Sequence, residues 1–161
     1  MRSLAAALLC LTALPAAAGP FAPTKASQVA TLVPTATTKS GCGANAYPVD
    51  TMRKSDGTVE PFVVPAKEVF VVTSIDVFGD AEEPNRRYFF SLSIDNTPGI
   101  PGGTLVVGDA GLTDSTGGYA GSVTVPTGAI VPSGALLCSK IDGPAEEPTF
   151  MRVHGFFAKA K

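Results

Sequence analysis

The chain has no tryptophan, one histidine and three cysteines in 161 residues. Each scarcity weighs against a class of function. Without tryptophan it lacks the broad ring face that stacks best on sugars, which leaves Tyr47, Tyr88 and Tyr119 as its amphipathic aromatics. With His154 as the sole histidine, the usual zinc sets of His and Cys ligands cannot be assembled. No G-x-S-x-G elbow, H-E-x-x-H pair or phosphate-binding loop occurs, so no catalytic residue is assigned. A serine-type triad would have to combine His154 with a distant hydroxyl and carboxylate. Charged residues are only 16% of the chain and the net charge is −2. Basic residues are scattered and adjacent only at Arg53-Lys54 and Arg86-Arg87. The basic face that nucleic acid requires is therefore missing.

Long apolar runs are confined to the first eighteen residues. Arg2 precedes an apolar stretch at 4–14, and Ala16-Ala17-Ala18 supplies small residues before Gly19. This reads as a secretory signal peptide over 1–18, cut short of membrane-spanning length by Pro15. Lipidation at Cys10 is disfavoured because Leu9 precedes it. The expectation is an exported protein, periplasmic or extracellular, with no transmembrane segment. The 12 basic side chains less Arg2, set against 14 acidic ones, leave the mature chain at −3.

Export decides the chemistry of the two remaining cysteines. In an oxidising compartment Cys42 and Cys138 read as a disulfide. Their neighbours, Gly41 and Gly43, Leu137 and Ser139, include no cation to create a reactive thiolate.

The domain organises around residues 68–78, EVFVVTSIDVF, the densest run of β-branched and aromatic side chains. Residues 19–45, rich in Pro, Thr and Ala, form an arm or linker, with an edge strand at 28–33 as one reading. The domain proper covers 46–161. Strands are expected at 46–53, 58–64, 68–78, 86–95, 104–107, 119–125, 129–131, 135–141 and 149–158. Pro126-Thr127-Gly128 and Pro132-Ser133-Gly134 mark turns, and 79–85, 96–103 and 108–118 mark long loops. No stretch free of Gly and Pro sustains a helical period. About nine short strands with uneven connections predict an all-β antiparallel sandwich of jelly-roll or Greek-key type.

Three segments, VPAKEVFVVTSIDVF, SVTVPTGAIVPSGALLC and the terminal RVHGFFA, resemble small exported bacterial jelly-roll proteins of tumour-necrosis-factor-like or adhesin-like architecture. The resemblance covers residues 60–158. It implies the fold and no catalytic residues.

Candidate sites follow from the loops. Asp80, Glu82 and Glu83 surround one turn, and Asp109 and Asp114 lie in GDAGLTDSTGG. Calcium takes six to eight oxygens from irregular backbone, so these carboxylates are the metal candidates and calcium the one cofactor considered; solvated acidic loops are the plainer reading. Tyr119, beside Gly117-Gly118, is the candidate exposed aromatic, with Arg86 and Arg87 as candidate ligand contacts. His154 shares a strand face with Arg152 and Phe156, opposite Val153, Gly155 and Phe157.

Three functions then compete. One is a non-catalytic binding or adhesion module that uses its loops on a carbohydrate or cell-surface ligand. The second is an assembly protein that forms homo-oligomers through a sheet face. The third, disfavoured, is an exported hydrolase, which requires His154 beside a carboxylate and a hydroxyl in a cleft.

Overall fold

Among the described residues the period-two patterns resolve into ten strands: β1 (Val29–Val33), β2 (Ala46–Pro48), β3 (Thr51–Lys54), β4 (Val59–Pro61), β5 (Glu68–Asp80), β6 (Arg87–Asp95), β7 (Thr104–Leu112), β8 (Gly118–Pro132), β9 (Leu136–Asp142) and β10 (Met151–Lys159). This computed structural model describes residues 22–34, 41–42, 46–80, 83–95, 103–142 and 151–160, without the Asp80 side chain. The signal segment, Cys10, Glu82, residues 96–102 and most of the acidic loop at 142–148 lie outside the described residues.

The strands form two antiparallel sheets, one ordered β4-β3-β1-β10-β5-β8 and the other β2-β9-β6-β7. They stack face to face because both sheets carry apolar side chains at alternate positions. Leu32, Phe70, Val72, Ile75, Val131, Met151 and Val153 come from the larger sheet, and Phe90, Leu92 and Leu137 from the smaller; all are at most 2% exposed. The expected all-β sandwich is thus the observed architecture. No helix among the described residues is long and apolar enough to cross a membrane.

β5 is the strand the rest is built on, and its two apolar faces have a local cause. Phe70 and Val72 point into the sandwich, then Thr73 is an extra residue that pairs with neither neighbour, and Ile75 and Val77 resume the inward face. This bulge switches the parity of the strand. It leaves Val69 and Val71 on the outer face, where they cluster with Phe156 and Ala158. The Thr73 hydroxyl donates to the His154 carbonyl at 3.2 Å, which satisfies a group beside the bulge.

Several expected boundaries shift, each for a physical reason. Residues 46–53 divide at Val49-Asp50 into β2 and β3, which belong to different sheets. The turn expected at 126–128 is a bulge inside one continuous strand, since both halves of β8 pair with β5. The loop expected from residue 108 is largely strand: β7 continues to Leu112. Its glycines had signalled a loop, but they mark close approach. A Cβ on Gly111 would stand 2.5 Å from the Tyr88 ring, and one on Gly108 2.9 Å from the Phe89 ring. The arm strand, β1, is not at an edge. It lies between β3 and β10, antiparallel to both, and buries Ala30 and Leu32.

The disulfide between Cys42 and Cys138 is formed, with the Cα atoms 5.5 Å apart. It fastens the segment after β1 to β9, in the opposite sheet.

Candidate functional site

Among the surface depressions lined by described residues, one lies where the sequence pointed and another where it did not. The first lies at the end of the sandwich where β5, β7 and β8 come together. It is a shallow, open hollow of about 560 Å³ lined chiefly by Phe78, Leu112, Asp114, Tyr119 and Ala120.

Its floor is set by packing. Tyr119 is only 6% exposed, so the expectation of an exposed aromatic is corrected. It points inward because β8 places odd-numbered positions towards the core here, and its ring meets that of Tyr88 at 5.1 Å. Tyr88 is also core, and its hydroxyl donates to the Ala120 carbonyl at 3.1 Å. Burial, with the Asp109 carboxylate adding to it, pushes the Tyr88 phenol up.

The rim is a self-capped turn. One Asp114 oxygen, Oδ1, accepts from the Thr116 amide and hydroxyl, both at 2.7 Å, and from the Gly118 amide at 2.9 Å. These donors, Thr116 foremost, hold the carboxyl below the usual range. Thr113, 2% exposed, joins this rim to the neighbouring loop by accepting from the Arg86 amide at 2.9 Å and donating to the Glu83 carbonyl at 2.8 Å. Sequence reading passed over Thr113 because nothing marks a buried hydroxyl among surface threonines.

The other expected residues scatter. Arg86 pairs with Glu83 at 3.3 Å, both exposed, a contact of little energetic weight. Arg87 begins β6 opposite Leu112, and Asp80 ends β5 opposite Gly118. Asp109 lies on β7, its Oδ1 accepting from the Ala110 amide at 2.8 Å. It is three residues before the strand's end, about 10 Å at ~3.3 Å per residue, so it and Asp114 are not brought together. No group of three or more His, Cys, Asp or Glu side chains able to hold a metal occurs among the described residues.

The second depression lies on the outer face of the six-stranded sheet. Four side chains meet across four strands: register sets Ser122 on β8 opposite Asp76 on β5, and Thr31 on β1 opposite His154 on β10, while Asp76, whose partner on β10 is Arg152, reaches His154 diagonally. Ser122 Oγ donates to Asp76 Oδ1 at 2.7 Å. His154 Nε2 lies 2.9 Å from Asp76 Oδ2, and His154 Nδ1 lies 3.1 Å from Thr31 Oγ1. In the neutral ring Nε2–H donates to the carboxylate and Nδ1 accepts from the threonine hydroxyl. His154 does share the outer face with Arg152 and Phe156, as its strand parity implied. Its partners come from strands 78 and 123 residues away, which no local pattern could reveal.

The Ser122 hydroxyl, aided by His154 and Arg152, holds the Asp76 carboxyl below the usual range, against a partial desolvation that acts in the opposite sense. A folded-state value below the unfolded one stabilises the protein above the unfolded value of about 4, and that contribution is lost as pH falls through the folded value. Asp56 and Asp114 shift in the same direction, held by Thr58 and Thr116 respectively. Asp76→Asn is therefore expected to melt below the parent at neutral pH and to lose less stability on acidification from pH 5 to about 3. Parallel Tm–pH curves for the two proteins would refute this.

Thr31, His154 and Asp76 stand in the order hydroxyl, imidazole, carboxylate that activates a nucleophile. Acyl transfer also needs donors aimed at the developing oxyanion. β1 is laddered on both edges, so its N–H groups are engaged in strand pairing. The side chains that the hydrolase reading requires are thus brought together beside a depression, without an oxyanion donor from β1.

Fold and site together define a two-sheet antiparallel β-sandwich bearing one depression at a loop end and another on a sheet face. No protein family, no curated protein and no solved structure matches the chain.

Proposed function

We propose that the chain is an exported, non-catalytic binding module with a jelly-roll scaffold, and that the loop-end depression takes a saccharide. The carrying observation is the combination of Phe78, Leu112 and the edge of Tyr119 with the Asp114 carboxylate around one concavity. Apolar side chains suit the C–H face of a sugar ring, and a carboxylate accepts from its hydroxyls. The strand order supports the scaffold. If the β3–β4 hairpin is set aside, the remaining eight strands run first-eighth-third-sixth in one sheet and second-seventh-fourth-fifth in the other. That is the order produced by folding one long hairpin over twice, as in a jelly roll.

The test is a glycan array probed with residues 19–161. Saccharide hits are expected, and Leu112→Asp, at a position 64% exposed, should abolish them without changing the Tm. An array without hits, or hits that Leu112→Asp leaves intact, would reject the reading. Assembly is the second reading, favoured by Phe89, Leu105 and Leu112, all exposed, on β6 and the edge strand β7. An oligomeric mass in light scattering that drops to the monomer in Leu105→Asp would select it.

A further inference from the structure

The sheet-face depression carries an inference independent of the loop end. It encloses about 310 Å³ and is lined mainly by Thr31, Thr51, Arg53, Val59, Arg152 and His154. Register explains the convergence. Arg53 is opposite Thr31, and Thr31 is opposite His154, so β3, β1 and β10 present them in one row. Arg152 is two residues from His154 on the same face. At ~4.8 Å per strand and ~3.4 Å per residue, the two arginine backbones stand roughly 12 Å apart, a span that two extended guanidinium arms can close on a group between them.

The charges around this hollow do not balance. Asp76 is the carboxylate bordering it, and both its oxygens are engaged, Oδ1 by Ser122 and Oδ2 by His154. The Arg152 guanidinium lies 4.8 Å from the Phe78 ring centroid, and although Asp76 is its cross-strand partner and feels its charge, Arg152 forms no ion pair among the described residues. Arg53 forms no ion pair among the described residues. Two guanidinium groups thus face one depression beside a single carboxylate already bonded to an imidazole, on a chain whose net charge is −2. Thr31 and Thr51 add hydroxyls, and Val59 gives the rim an apolar edge.

We propose that this depression binds the carboxylate of an acidic saccharide. Guanidinium groups meet carboxylates through paired N–H donors, and the threonine hydroxyls and Val59 match the hydroxyls and C–H face of the attached ring. The Ser122–Asp76–His154–Thr31 row is the support: it fixes the floor and joins β1 to the body of the sheet, so the arginines act from a rigid surface.

The probe is trigalacturonic acid, titrated calorimetrically into residues 19–161 at low ionic strength, with its fully methyl-esterified form as the matched neutral ligand. The acid should bind and the ester should not. Arg53→Gln and Arg152→Gln should each weaken binding by tenfold or more, and Arg53→Gln should leave the Tm unchanged. Leu112→Asp, at the loop end, should leave this binding intact, which separates failure here from failure of the loop-end reading. Absence of binding, equal binding of acid and ester, or full affinity in Arg53→Gln would overturn the proposal. Oligoglutamate binding more tightly than the trisaccharide would also overturn it and assign the site to an acidic polypeptide.

Discussion

Gly155→Ala is expected to lower the Tm by roughly 10 °C, and Gly155→Val to prevent folding. Gly155 sits in β10 opposite the bulged segment of β5, paired with Val72. A Cβ there would collide with the Val71 carbonyl oxygen and stand 2.6 Å from Cζ and 2.7 Å from Cε1 of Phe70. Neither neighbour can yield. The carbonyl belongs to a paired central strand. Phe70 is fully buried and held edge-on between Phe62, at 5.2 Å, and Phe157, at 5.1 Å. Overpacking of this kind costs about 3 kcal/mol. At ~3 °C per kcal/mol for a chain of this size, that gives the shift stated. Gly134→Ala is the control. Its φ is +83°, but nothing lies within 4 Å of its Cβ position, so its cost is limited to the left-handed backbone, about 1 kcal/mol. Comparable melts for the two variants would mean that the β10–β5 approach is looser than described.

Loss of the disulfide should have a comparable effect. Cys42 and Cys138 are 96 residues apart, so their bridge removes a large loop from the unfolded ensemble. The chain-entropy account gives about 4.7 kcal/mol for a loop of ~100 residues, and measured losses fall at about 2–5 kcal/mol. Position adds to this. The bridge joins the segment after β1 to β9, so it limits how far the arm can depart from between β3 and β10. The Cys42→Ser/Cys138→Ser variant should melt roughly 10 °C below the oxidised parent, and reductant should shift the parent to match. Proteolysis should then cut first near β1. An unchanged melt in reductant would mean that the bridge contributes nothing to stability.

These two predictions differ in how far they could be read beforehand. The disulfide follows from an inferred oxidising compartment and an even cysteine count, so chain chemistry was enough. Gly155 is conspicuous in RVHGFFA, but its reason, a carbonyl and a ring from β5 in the space its side chain would occupy, exists only after β10 has docked. Gly108 and Gly111 make the same point in reverse. Read locally they meant loop; in the fold they are strand residues that leave room for the Phe89 and Tyr88 rings.

The candidate sites divide likewise. The loop around Asp114 and Tyr119 was marked by its glycines, but Asp114 was read as a metal candidate, whereas in the fold it caps its own turn. Whether Tyr119 faced water or core was not legible, since one residue of register decides it. The Asp76–His154–Thr31 row was invisible because its members are distant in the chain and share no spacing.

The sequence by itself determined the all-β class, the central role of β5, the alternating faces of β6 and β10, and the cysteine pairing. All of these rest on period-two patterning, β-branched composition and covalent chemistry, which act over a few residues or at any distance. The tertiary structure alone decided that β1 lies inside a sheet, that residues 126–128 bulge instead of turning, and that two arginines and a histidine share one hollow. Those outcomes depend on register between strands far apart in the chain, and register is fixed only when both sheets close over a common core.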